Sequence, residues 1–185
     1  MRFFLRKVLH LILGLSLAFS SLLFGLKITL LLVGIFELFF LYETFKKKHK
    51  IGLFLFLVKS FEKEKEMHIK GLALHVFLSS FILSSLVFRN YFVVSLSFFV
   101  LSIGDFFSGV VGYYFGKHKV GELSLEGSLA FFFSTFVFLF FFFRLSLLKA
   151  FFISLFSSLS EYLPLDDNYV IPLMVGGLFL IFSNI

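Results

Sequence analysis

The chain has 185 residues, of which 59% are hydrophobic and 34 are phenylalanine, and its mean hydropathy is +1.04. A soluble domain of this size has too little interior for that much apolar surface, and the continuous rather than alternating apolar runs argue against a transmembrane β-barrel. No cysteine is present, so disulfide and thiolate chemistry are excluded; the formal charge of +6 falls in loops between apolar segments, where it sets membrane topology rather than nucleic-acid binding.

The pattern predicts an all-α fold: a polytopic transmembrane helix bundle of about seven spans, each near the ~20 residues that cross a bilayer, with residues 1–185 forming one domain. The first residues, Met1 to Lys7 followed by an apolar run, have the outline of a signal peptide. They lack a small-x-small cleavage site and are expected to begin a retained first helix. The spans are expected at Val8–Phe24, Lys27–Glu43, Gly71–Phe88, Tyr91–Val111, Leu129–Phe143, Leu147–Leu163 and Tyr169–Ser183. Ile51–Val58 is too short to span and is expected to lie along the interface or re-enter. The surrounding 46–70 stretch mixes lysines with Glu62, Glu64 and Glu66, as a solvated surface touching anionic headgroups does.

Thirteen of the seventeen lysines and arginines fall on the side of the N-terminus, which places that end in the cytoplasm. The expected location is multi-pass in a prokaryotic plasma membrane, with the charged motifs facing the cytoplasm, where nucleotides are found.

The residues from Gly104 to Ser128 depart from a plain anchor. Asp105 sits in an apolar run, and an acid at membrane depth costs several kcal/mol, so it is a functional-site candidate. Gly104, Gly112 and Gly116 lead into Lys117, His118 and Lys119. Together they read either as helix-packing glycines followed by interface lysines, or as a helix end opening onto a phosphate-binding loop. Ser124, Glu126, Gly127 and Ser128 read as a capped helix start, which can also receive phosphate, with Glu126 a candidate second metal ligand beside Asp105.

Near the N-terminus, Arg6, His10 and Gly14 share one helix face. Glu37 is a second intramembrane acid whose bland reading is pairing with a neighbouring helix, and His75 reads as structural. Glu161 opens an acidic turn through Asp166, Asp167 and Asn168 to Pro172. Its negative charge defies the positive-inside trend and suggests metal binding or activation of a hydroxyl.

These elements, in order, resemble the polytopic polyprenol kinases, a family that includes dolichol kinase, phytol kinase and the CTP-dependent diacylglycerol kinase of yeast type. An Arg-Lys-x-x-His element is matched by Arg6, Lys7 and His10, and a Gly-Asp…Gly…Gly-Lys core by Gly104, Asp105, Gly112, Gly116 and Lys117. A Ser-x-Glu-Gly-Ser element is matched by Ser124, Glu126, Gly127 and Ser128, and an Asp-Asn-x-x-x-Pro element by Asp167, Asn168 and Pro172. The family alanine, arginine and lysine are here Ser108, Tyr113 and Leu123, and the last two changes remove positive charge.

The resemblance implies a kinase that transfers the γ-phosphoryl group of CTP, or another nucleoside triphosphate, to a membrane lipid alcohol such as phytol, a polyprenol, dolichol or diacylglycerol. Asp105 and Glu126 would bind Mg²⁺, and Asp167 and Asn168 would act with them in catalysis. The nucleotide would be held by Arg6, Lys7, His10, Lys117, His118, Lys119, Ser124 and Ser128, with Gly104, Gly112, Gly116 and Gly127 giving backbone access. The alternatives are a cytidylyltransferase forming a CDP-lipid and a non-catalytic membrane homologue. The CDP-diacylglycerol synthase group shares the Gly-Lys-His-Lys-like and Glu-Gly-Ser stretches, but its later histidine-diglycine signature has no counterpart, since no histidine follows Ser128.

Overall fold

The structure is a computed structural model and describes residues 2–45 and 71–183. The expected Ile51–Val58 segment and the 46–70 stretch lie outside the described residues. Seven helices form the described chain: α1 Arg2–Phe24, α2 Leu26–Phe45, α3 Leu72–Phe88, α4 Tyr91–Phe115, α5 Leu125–Phe141, α6 Leu147–Ser160 and α7 Asp167–Ser183. A minimal antiparallel hairpin, β1 Lys119–Val120 with β2 Leu123–Ser124, joins α4 to α5. The all-α reading therefore holds. Three helices, α1, α2 and α4, are long and apolar enough to cross a membrane; the other four are shorter apolar helices.

Local chemistry explains the boundaries. Gly25, at φ 78°, separates α1 from α2 in a conformation that L side chains resist. The bend is closed by Thr29, whose hydroxyl donates to the Gly25 carbonyl and lies 3.1 Å from the Ser20 hydroxyl of α1. Asn90 caps α4 by accepting from the Phe92 and Val93 amides, and Ser124 caps α5 by accepting from Gly127. Gly121, at φ 65°, turns the hairpin between them. The polar Ser124–Ser128 turn starts α5 before its apolar run, while α6 ends at Ser160, so Glu161 lies past the helix.

Helix α4 is the axis of the bundle. It packs against α1, α5, α7 and α3, and is buried continuously from Val93 to Ser102. Its serines are compatible with that burial because each hydroxyl donates to a carbonyl one turn back: Ser95 to Tyr91, Ser97 to Val93 and Ser102 to Phe98, at 2.6–2.9 Å. Phenylalanines fill the remaining core, with Phe77, Phe81 and Phe98 in edge-to-face contact and Phe131 fully buried. Small residues set the helix spacing. A Cβ on Gly14 would collide with Ser102, and one on Gly104 with the ring of Phe131. Outward faces carry exposed Leu31, Leu32, Leu38, Phe133 and Leu148, an apolar periphery suited to hydrocarbon.

Candidate functional site

Four helix ends, the hairpin and the 161–166 loop converge on a cavity of about 630 Å³, a size suited to a small-molecule ligand. The start of α1 contributes Arg6, Lys7 and His10, and the end of α4 contributes Asp105, Ser108, Gly109 and Gly112. The hairpin adds Lys119 and Glu122, Ser124 stands at its close, and the other wall is Glu161, Asp166, Asp167 and Asn168. Leu72, Val76, Leu101 and Leu165 give it an apolar flank. Residues separated by more than 150 positions thus meet at one end of the bundle.

At its centre the Lys7 ammonium donates to Asp105 Oδ1 at 2.5 Å, with both side chains mostly buried. His10 Nδ1 stands 4.0 Å from the other Asp105 oxygen, and Asn168 interacts with His10 from α7. Close backbone approach makes this pair possible. A Cβ on Gly109 would run into the stem of Lys7, so glycine there lets the lysine cross α4 to reach the carboxylate. Gly112 faces Gly127 of α5 across a gap that a Cβ would narrow to 3.7 Å. Lys119 folds back to the Gly112 carbonyl at 3.4 Å, placing a cation over the end of α4. The Arg6 guanidinium lies 5.6 Å from the Phe3 ring centre, and Phe3 in turn stacks on Tyr113 at the cavity mouth.

Glu161 is the buried acid of the site. Its Oε1 accepts from Ser108 at 2.8 Å and its Oε2 from Ser128 at 3.5 Å, while Ser128 also lies 2.8 Å from the Tyr162 hydroxyl. Burial, reinforced by the nearby Asp105 and Asp167 charges, pushes its carboxyl up to about 7, against the pull of the Ser108 hydrogen bond and Lys7.

The cavity therefore gathers Arg6, Lys7, His10, Asp105, Gly112, Lys119, Ser124, Asp167 and Asn168 from the sequence-predicted set. It does not gather the rest. Gly104 packs under Phe131, and Gly116 and Gly127 make room for Ser124, so these three serve helix packing. Ser128 reaches the site only through Glu161. Lys117 does not line the cavity, and the exposed His118 turns to Glu126 instead. Glu126 accepts from the His118 ring at 2.6 Å and from its amide at 3.2 Å, fastening the hairpin to the first turn of α5. The His118 hydrogen bond holds its carboxyl well down, at about 2. Glu126 thus does not open onto the cavity beside Asp105.

Among the described residues no group of three or more His, Cys, Asp or Glu side chains is placed to hold a metal. Mg²⁺ is commonly held by one or two carboxylates together with phosphate oxygens, and Asp105 is one of five carboxylates on the cavity that could share a cation with a ligand. Away from the cavity, Glu37 pairs with a neighbouring helix, the bland one of its two readings: His75 Nδ1 lies 2.9 Å from its carboxylate and His75 Nε2 lies 3.0 Å from the Thr44 hydroxyl.

Glu161, Ser108 and Gly109 also line the cavity, and the sequence motifs do not single them out as site residues. Glu161 carried a signal as the first acid of the acidic turn, and Ser108 as the departure from the family alanine; Gly109 carried none beyond glycine spacing. Comparison with known proteins returns no match to a family model, a curated protein or a solved structure.

Proposed function

We propose that this protein is an integral membrane phosphotransferase that moves the γ-phosphoryl group of a nucleoside triphosphate, CTP by resemblance, to the hydroxyl of a membrane lipid alcohol. In this reading the seven helices cross the bilayer with the N-terminus in the cytoplasm, so the cavity opens to that compartment. The observation that carries it is the meeting of Arg6, Lys7, His10, Asp105, Lys119, Asp167 and Asn168 around one cavity.

Charge balance supports a metal-bound polyphosphate rather than a bare one. The lining has the cations Arg6, Lys7 and Lys119 against the acids Asp105, Glu122, Glu161, Asp166 and Asp167, so an uncompensated polyanion would meet net repulsion. The two positive charges of a Mg²⁺ arriving with the nucleotide would offset that excess of acids, and Asp105 would share the cation with the nucleotide, supplying charge neutralisation at the transferring group. Lys7 and Arg6 then attract phosphate, and Lys119 covers the cavity from the hairpin. His10 and Asn168 keep Asp105 oriented. The apolar flank of Leu72, Val76, Leu101 and Leu165 receives the first carbons of a lipid alcohol, bringing its hydroxyl toward the carboxylates. Positioning and electrostatics of this kind supply most of the catalysis in phosphoryl transfer.

The test incubates purified protein in lipid with Mg²⁺, γ-labelled or α-labelled CTP and ATP, and a panel of phytol, geranylgeraniol, dolichol and diacylglycerol. The reading predicts γ-label in the lipid product and none from α-labelled nucleotide. Label only from α-labelled CTP would replace the kinase by a cytidylyltransferase, and no label from either with folded protein would reject both.

A further inference from the structure

We propose that Glu161 is the catalytic base that takes the proton from the acceptor hydroxyl, held for that purpose by Ser108 of α4 and Ser128 of α5. The inference rests on the reading of the cavity as a site of phosphoryl transfer to an alcohol, and identifies a residue that reading does not require. Five acids line the cavity, and their surroundings separate them. Asp105 is paired with Lys7 and, in the parent reading, is the carboxylate given to the cation. Asp166 accepts from the Asn168 backbone and side-chain amides at 3.0 and 2.7 Å, and so caps α7. Glu122 is exposed on the hairpin, and Asp167 stands in the first turn of α7.

Burial and its two serine donors set Glu161 apart from the other four. It is 8% exposed, lines the cavity, and takes part in no ion pair among the described residues; its two oxygens receive serine hydroxyls rather than cations. A carboxylate with seryl donors keeps lone pairs available and a fixed direction, which is what proton removal needs. The groups facing it are Lys7 from α1, Asp105 and Ser108 from α4, Ser128 from α5 and Asp167 from α7. Its carboxyl titrates at about 7, so both the empty and the filled base are populated at neutral pH.

The step balances. The alcohol oxygen forms a bond to the γ-phosphorus as its proton passes to Glu161. The bond from that phosphorus to the bridging oxygen breaks, and the nucleoside diphosphate leaves with the electron pair. Glu161 then returns the proton to water. Ser108 acts through Glu161 as a positioning residue, and its hydrogen bond stabilises the charged form.

The experiment measures pH–rate profiles for wild type, Glu161→Gln and Ser108→Ala in lipid with Mg²⁺, CTP and the best acceptor of the panel, together with Mg²⁺–CTP binding by each. The proposal predicts wild-type kcat rising with pH through an apparent pKa near 7. Glu161→Gln should lower kcat by roughly 100-fold or more, flatten that rise and keep nucleotide affinity. Ser108→Ala should move the acidic limb to higher pH. Transfer by Glu161→Gln within a few-fold of wild type overturns the proposal, and an unmoved limb in Ser108→Ala does so whether or not Glu161→Gln folds. Absence of transfer by wild type with every acceptor instead overturns the parent reading, and this inference with it.

Discussion

Replacing Lys7 with Met keeps the length of the side chain and removes the only cation bonded to Asp105 among the described residues. The two side chains are 13% and 19% exposed and 2.5 Å apart, so water can do little to replace the lost partner. A surface pair is worth about 0–1 kcal/mol, whereas removing one member of a buried pair costs about 3–5. The burial puts this pair near the lower end of the second range, at about 3 kcal/mol, roughly two decades in the unfolding equilibrium. Asp105→Asn leaves an ammonium without its carboxylate and destabilises too, while the double variant carries neither charge and recovers part of the loss. The coupling energy of the cycle is expected at about 1–3 kcal/mol. Denaturant titration of the lipid- or detergent-held protein, followed by far-UV circular dichroism because the chain has no tryptophan, measures all four corners. Single-variant effects that add to within about 0.5 kcal/mol would show that Lys7 and Asp105 do not act on one another.

Gly104→Ala should destabilise by about 1–3 kcal/mol because its methyl meets the Phe131 ring, whereas Gly34→Ala meets nothing within 4 Å and should be neutral or stabilising; unfolding midpoints compare the two. The Glu126 carboxyl, held at about 2 against an ordinary 4.5, stabilises the hairpin junction at pH values above about 4.5 and loses that contribution as pH falls toward 2. His118→Ala should raise the Glu126 titration midpoint, read by carbon NMR of the labelled carboxyl; an unchanged midpoint would refute the latch. Glu161 has the opposite sign. Its carboxyl titrates above the unfolded value, so the folded state binds the extra proton and stability declines as pH rises from about 4.5 to about 7. Glu161→Gln should flatten that decline, and an equally steep fall in its unfolding midpoint between pH 5 and 8 would contradict the assignment.

Hydropathy located every described helix, because each of them is apolar along most of its length. It misplaced ends where polar turns remain helical. Helix α4 runs to Phe115 instead of Val111, and α5 begins at Leu125 instead of Leu129 because Ser124 caps a first turn containing Glu126 and Gly127. Conversely, α6 stops at Ser160 rather than Leu163, which moves Glu161 out of the helix and into the cavity wall.

The residue types of the site were legible from where charge interrupts apolar sequence, but their partners were not. Lys7 and Asp105 are 98 residues apart, and only the packing of α1 on α4 decides that they pair. The same limit applies to Glu126. Its type and position suit a metal ligand, and only the hairpin geometry shows its carboxylate already taken by His118. Gly109 is the clearest omission. Its role is to admit the stem of Lys7, a steric fact with no local signature.

The most direct measurement is the appearance of γ-labelled phosphate on a lipid alcohol in the presence of Mg²⁺ and labelled CTP, compared between wild type and a folded Asp105→Asn variant. The account predicts labelled lipid phosphate from wild type and a loss of at least about 100-fold in the variant. Equal labelling by both proteins would contradict it, as would no labelling by wild type with any acceptor.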